Sequence, residues 1–164
     1  MNDLNQQQNH ATGTAQESHA SQDSTKQRNV VVIGNGMVGL RFCEKLVEFD
    51  KHKRYRITAF CEEPRAAYDR VSLTSFFAHR DAEKLMLARM DWYRDNGVEL
   101  HLGDRANRVD RESFTVHSDK GVKIGYDALV MATGSYPFVP PIPGVDKSGV
   151  FVYRTIEDLE RIIE

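Results

Sequence analysis

The stretch Val30-Val31-Val32-Ile33-Gly34-Asn35-Gly36-Met37-Val38-Gly39 constrains this chain more than any other. A run of β-branched residues favours an extended strand, and it passes directly into glycines spaced G-x-G-x-x-G. A helix-period segment follows, starting at about Met37 and running to Phe49. A strand, a tight turn and a helix in that order aim backbone N–H groups and the positive end of a helix dipole at one point, where a pyrophosphate can sit. Each glycine has its own task. Gly34 makes the turn, Gly36 lets the backbone approach the phosphates, and Gly39 brings helix and strand together. Such triplets also arise by chance, so context decides. Here a strand precedes, a helix follows, and an acidic residue ends the next strand.

That second strand, Tyr55 to Cys61, closes in Glu62-Glu63-Pro64, where proline stops it and forces a loop. Glu62 lies 23 residues beyond Gly39, the place from which a carboxylate can accept both hydroxyls of an adenosine ribose. Glu63 is the competing candidate, since a shift of one residue exchanges the two. The following loop carries Tyr68-Asp69-Arg70; the forked donors of Arg70 suit a pyrophosphate or a flavin-side oxygen, although loop arginines are more often simply solvated. Further on, Tyr126 to Met131 is a continuous apolar run of the kind buried on both faces of a parallel sheet. It ends in Ala132-Thr133-Gly134, small residues that allow close backbone approach, with the Thr133 hydroxyl as an added polar group. The candidate cofactor-binding residues are therefore Gly34, Asn35, Gly36, Met37, Val38, Gly39, Glu62, Arg70, Ala132, Thr133 and Gly134. No catalytic side chain and no metal-ligand set stands out.

Between these landmarks the pattern changes twice. Leu73–Phe77 and Ala82–Leu85 read as short helical pieces, Asp91–Asn96 as a helix closed by Gly97, and Val98–Leu102 as a strand. Arg105–Arg111, Ser113–Ser118 and Val122–Ile124 then alternate like a small antiparallel meander. Phe76, Phe77, Trp92 and Tyr93 are expected in the core. The reading is α/β: a Rossmann-like dinucleotide-binding domain, a parallel sheet with a small antiparallel meander, over residues 29–145. Residues 1–28, rich in Gln, Asn, Ser, Thr and His, read as a disordered tail. Four prolines between Pro137 and Pro143 make a stiff exit. Residues 146–164 read as a linker and the start of a further domain, because a two-turn helix from Thr155 has no later element to pack on; the chain reads as the front part of something longer.

Composition narrows the function. With 22 basic and 24 acidic side chains, scattered rather than clustered, there is no footprint for nucleic acid or a membrane surface. No run approaches the roughly 20 apolar residues of a membrane span, and no secretory signal opens the chain, so a cytoplasmic protein is expected. The two cysteines, Cys43 and Cys61, form no C-x-x-C pair and read as small buried hydrophobes. Two thiols also fall short of the four that a cubane iron–sulfur cluster takes.

Taken in order, the glycine turn, the acidic strand end, the meander and the A-T-G turn resemble the FAD domain of pyridine-nucleotide-dependent flavoprotein reductases. Gly34–Glu44, Phe60–Val71 and Met131–Pro141 are similar in particular to the large subunit of assimilatory NAD(P)H nitrite reductases, across residues 29 to 164. The resemblance implies FAD as cofactor, with Gly34, Gly36 and Gly39 at its pyrophosphate, Glu62 at its ribose and Arg70 in a Y-D-R string that contacts flavin. Where ferredoxin-type relatives place a flavin-contacting lysine after that string, this chain reads Val71-Ser72-Leu73-Thr74-Ser75-Phe76. It further implies NAD(P)H as electron donor, an iron–sulfur cluster and a sirohaem in the remainder, and a small subunit as partner. Two alternatives remain beside it: a rubredoxin- or ferredoxin-type reductase, and a non-catalytic nucleotide-binding fragment.

Overall fold

A computed structural model describes residues 26–164; the expected tail lies, up to residue 25, outside them. The chain runs β1 (Arg28–Ile33), α1 (Met37–Phe49), β2 (Tyr55–Cys61), α2 (Phe76–His79), α3 (Met90–Asp95), β3 (Val98–Leu102), β4 (Ala106–Asp110), β5 (Thr115–Ser118), β6 (Lys123–Gly125), β7 (Ala128–Met131) and α4 (Ile156–Ile163), with 3₁₀ turns at Leu73–Ser75 and Ala82–Leu85. β3, β2, β1 and β7 form a parallel sheet in that order, and β4, β5 and β6 form a separate antiparallel one. The expected α/β architecture with its meander is present.

The unbroken apolar run of β1 has a direct cause: both of its faces are covered. Val30 and Val32 meet Leu40 and Cys43 of α1 together with Ile57, Ala59 and Tyr93. Val31 and Ile33 point the other way, onto Phe60 and the meander residue Val116. Alternating side chains of one strand thus anchor two layers. Register then aligns the strand ends, because Ile33 pairs with Phe60 on one side and Met131 on the other. The Gly34 N–H donates to the Phe60 carbonyl (2.9 Å) and the Ala132 N–H to that of Ile33 (2.8 Å), so the ladder continues one step into the turns.

Three expectations need correction. β7 is not buried on both faces: Ala128 and Met131 are exposed, and no described strand flanks its outer side. It is an edge strand, and an apolar run alone does not distinguish an edge from a centre. Phe76 and Tyr93 are buried as expected, but Phe77 is 40% exposed and stacks on Tyr153 outside the core. Finally, α4 does have an element to pack on. Ile156 and Leu159 are fully buried against Tyr68, Leu73, Phe76 and Leu85, the apolar residues of the irregular segment between β2 and β3. Arg65 of that segment pairs with Glu157 (2.7 Å) and Glu160 (2.8 Å).

Candidate functional site

The carboxyl ends of β1, β2 and β7 open on one cleft of about 330 Å³. The glycine turn forms its floor, and the three glycines occupy three different environments. Gly34 has φ +102°, and a Cβ there would lie 2.2 Å from the Ala132 carbonyl oxygen. A Cβ on Gly39 would lie 2.0 Å from the Gly34 carbonyl oxygen, so this residue sets how closely α1 approaches the strand. A Cβ on Gly36 would meet nothing within 4 Å. The open side of Gly36 is where a ligand's phosphates would need the space.

Helix α1 begins immediately after. Gly36 is its N-cap, no side chain caps it, and its first turn holds no acidic residue. The Leu40 N–H is bonded to the Gly36 carbonyl (2.9 Å), closing the first turn; the N–H groups of Met37, Val38 and Gly39 precede it and have no acceptor within the helix. An uncapped N-terminus of this length is a strong donor for an anion. The side chains of Met37 and Val38 do not line the cleft, and Val38 is 72% exposed. Gly39 sits behind it. Of the candidates, Gly34, Asn35, Gly36, Glu62, Arg70, Ala132, Thr133 and Gly134 come together in its lining, while Met37, Val38 and Gly39 stand outside.

The acidic pair divides cleanly. The Tyr136 hydroxyl donates to the Glu62 carboxylate (2.5 Å), and Arg105 and Arg154 each stand 3.8 Å from it. Glu63 is more enclosed, accepting from the Tyr68 hydroxyl (2.7 Å) and from the Arg70 guanidinium. Arg70 also donates to the Arg154 carbonyl (3.0 Å), so it is not the solvated loop arginine that composition suggests. Burial, then the bond to Glu63, holds the Tyr68 phenol well above its usual range. The bond to Glu62 raises that of Tyr136. Desolvation pushes the Cys61 thiol up to about 11 and that of Cys43 up to about 12, so neither supplies a thiolate.

Sequence reading missed Arg105, Tyr136 and Arg154. Tyr136 stands two residues after Gly134 and reaches Glu62 from the β7 side; Arg154, just before the Thr155 cap of α4, becomes a site position only once α4 folds back. Arg105 precedes the meander, and no local signal marks it. The assembled cleft offers backbone donors and two arginines around one carboxylate that is within reach of a hydroxyl. Such a set can donate to an anion at the turn and accept from a hydroxyl at the carboxylate.

This fold and cleft define a class. The chain belongs to the pyridine nucleotide-disulphide oxidoreductase family, whose pattern it matches over residues 14–164. Within that class it is 50% identical over 133 residues to the nitrite reductase (NADH) large subunit of Escherichia coli (strain K12), covering 81% of this chain and 16% of that protein. It is 44% identical over 148 residues to the NAD(P)H nitrite reductase of Emericella nidulans, covering 87% of this chain and 13% of that one. Among solved structures it resembles the ferredoxin reductase for the CYP199A2 system of Rhodopseudomonas palustris, with a TM-score of 0.73 and 25% identity, over 82% of this chain and 33% of that one. The chain thus spans less than a fifth of the length of these nitrite reductases.

Proposed function

We propose that this chain is the FAD-binding part of an NAD(P)H-dependent nitrite reductase large subunit. The observation that carries the reading is the open side of Gly36 at the uncapped N-terminus of α1, in the same cleft as Glu62. The half-identity to a nitrite reductase large subunit favours this branch over ferredoxin-type reductases.

The residues present fit the adenosine and pyrophosphate half of FAD. The backbone of Gly34, Asn35 and Gly36, with the free N–H groups of Met37, Val38 and Gly39, would hold the diphosphate. Glu62 would exchange the Tyr136 hydroxyl for those of the ribose, and Arg154 and Arg105 would balance the phosphate charge. Ala132, Thr133 and Gly134 would border the cofactor on the β7 side. Arg70 would act through its bonds to Glu63 and the Arg154 carbonyl, keeping that wall in shape. The chemistry a bound flavin supplies is the conversion of a two-electron hydride into single electrons. NAD(P)H, the iron–sulfur cluster, the sirohaem and a small subunit belong, on this reading, to the rest of the enzyme, since two cysteines cannot ligate a four-iron cluster. A cytoplasmic setting accords with it, and none of the described helices is long and apolar enough to cross a membrane.

Calorimetry on the purified chain tests this directly. FAD is expected to bind, ADP to compete with it, and FMN, which lacks the adenosine half, to give no heat. Binding of FMN, or FAD binding that ADP leaves untouched, would overturn the placement.

A further inference from the structure

The glycine turn is braced from behind by a residue far away in sequence. Asn35 lies between two of the glycines and is only 4% exposed. Its side chain runs back into the protein, where the Tyr93 hydroxyl of α3 stands 3.0 Å from the amide nitrogen and 3.2 Å from the amide oxygen. Tyr93 is 1% exposed, packed among Leu40, Ala66 and Ala67 and edge-on to Trp92. Burial raises its phenol above the usual range, so it remains a neutral hydroxyl.

Past the ladder bond of Gly34, the uncapped Gly36 has no side chain of its own to select one conformation. The Asn35 amide is the side chain of this turn that reaches a partner, and a buried amide left without one is costly. Tyr93 does not line the cleft, so it cannot serve by touching a ligand. Its hydroxyl, which also lies against the Ala67 backbone, reaches the turn through Asn35.

We propose that Tyr93 is a positioning residue for the pyrophosphate-binding turn, its hydroxyl holding Asn35 so that the Gly36 backbone and the first turn of α1 stay in the receptive arrangement. The proposal rests on the FAD reading above. It assigns the Asn35–Tyr93 pair to preorganisation, which raises affinity by lowering the ordering cost of binding rather than by adding a contact.

Tyr93→Phe keeps the ring and removes only the hydroxyl. The expected result is a loss of roughly tenfold in FAD affinity, with a similar loss for ADP, because both use the turn. Asn35→Ala should match it, and the double variant should lose little more than the worse single one, as coupled partners do. Val98→Ala, in the same core cluster but on β3, provides the contrast: it should lower the thermal midpoint and leave FAD affinity unchanged. Wild-type affinity in Tyr93→Phe, or losses that follow the thermal midpoint alike in Tyr93→Phe and Val98→Ala, overturns the positioning role and leaves the FAD reading standing. Failure of the wild-type protein to bind FAD overturns both.

Discussion

Alanine at position 39 and valine at position 36 should fail in opposite ways. The first places a Cβ 2.0 Å from the Gly34 carbonyl oxygen, and nothing but backbone can give way. Gly39→Ala is expected to destabilise the fold by about 1–3 kcal/mol, as overpacking does, read as a fall in the urea midpoint. Gly36 has an extended backbone and empty space beyond it. Gly36→Val meets no clash and should cost only about 1 kcal/mol of stability, as an unfavourable N-cap residue does, yet lose FAD binding; retained binding would remove the turn from the site. The acidic pair makes a second contrast. Glu62→Gln keeps shape but weakens acceptance by a charged group, a loss of about 1–3 kcal/mol in FAD affinity. Glu63→Gln instead removes the charge opposite Arg70 and one of the two oxygens that accept from Arg70 and Tyr68, so its first effect should be on stability. If titration shows the larger affinity loss in Glu63→Gln, the ribose contact belongs one residue on.

At the scale of elements, legibility followed periodicity. β2 and β3 fall where the sequence puts them, and α1 starts at Met37, because strand and helix there have uncovered patterns bounded by glycine, proline or charge. The tasks of Gly34 and Gly39 were legible because each is a backbone demand of the fold itself; that of Gly36 would be a demand of the ligand. What escaped reading depends on contact between distant segments: the edge status of β7, the exposure of Phe77, and the docking of α4. That docking depends on Ile156 and Leu159 meeting an irregular stretch whose apolar residues follow no period. It also brings Arg154 into the cleft, which is why the site was read without it. Helix α4 opens with a reciprocal capping box between Thr155 and Asp158. Leu159→Ala is expected to cost about 2–5 kcal/mol and Thr155→Ala about 1 kcal/mol, both measurable by urea unfolding. Values near zero for Leu159→Ala would mean that α4 does not stay docked.

For the molecule as a whole, buried weak acids set the alkaline limit. Cys43 and Cys61 are raised from an ordinary 9.0 to about 12 and about 11. The phenols of Tyr68 and Tyr93 are raised from 10.0, both first by burial. The unfolded chain therefore releases these protons before the folded one does. Stability from this source is fully present below pH 9 and falls as pH rises through the window between the ordinary and the folded values. The urea midpoint should be lower at pH 10 than at pH 7.5, and the thiols should resist alkylation at pH 8 until the chain unfolds. An unchanged midpoint would mean that the thiols and phenols are more accessible than their packing implies.

The two hydrogen bonds that carry the ladder past the strand ends, from Gly34 to Phe60 and from Ala132 to Ile33, make the cleft floor part of the slowest-opening unit of the protein. Local fluctuations expose frayed ends and loops first, and core ladders only in global unfolding. The amides of Gly34 and Ala132 should accordingly exchange with deuterium as slowly as those of Val31 and Val32, while those of the 137–150 segment exchange early. A ligand seated on that floor would enter and leave past the side walls made by Tyr136 and Arg154, and its residence time would be governed by the breathing of those walls rather than of the sheet beneath.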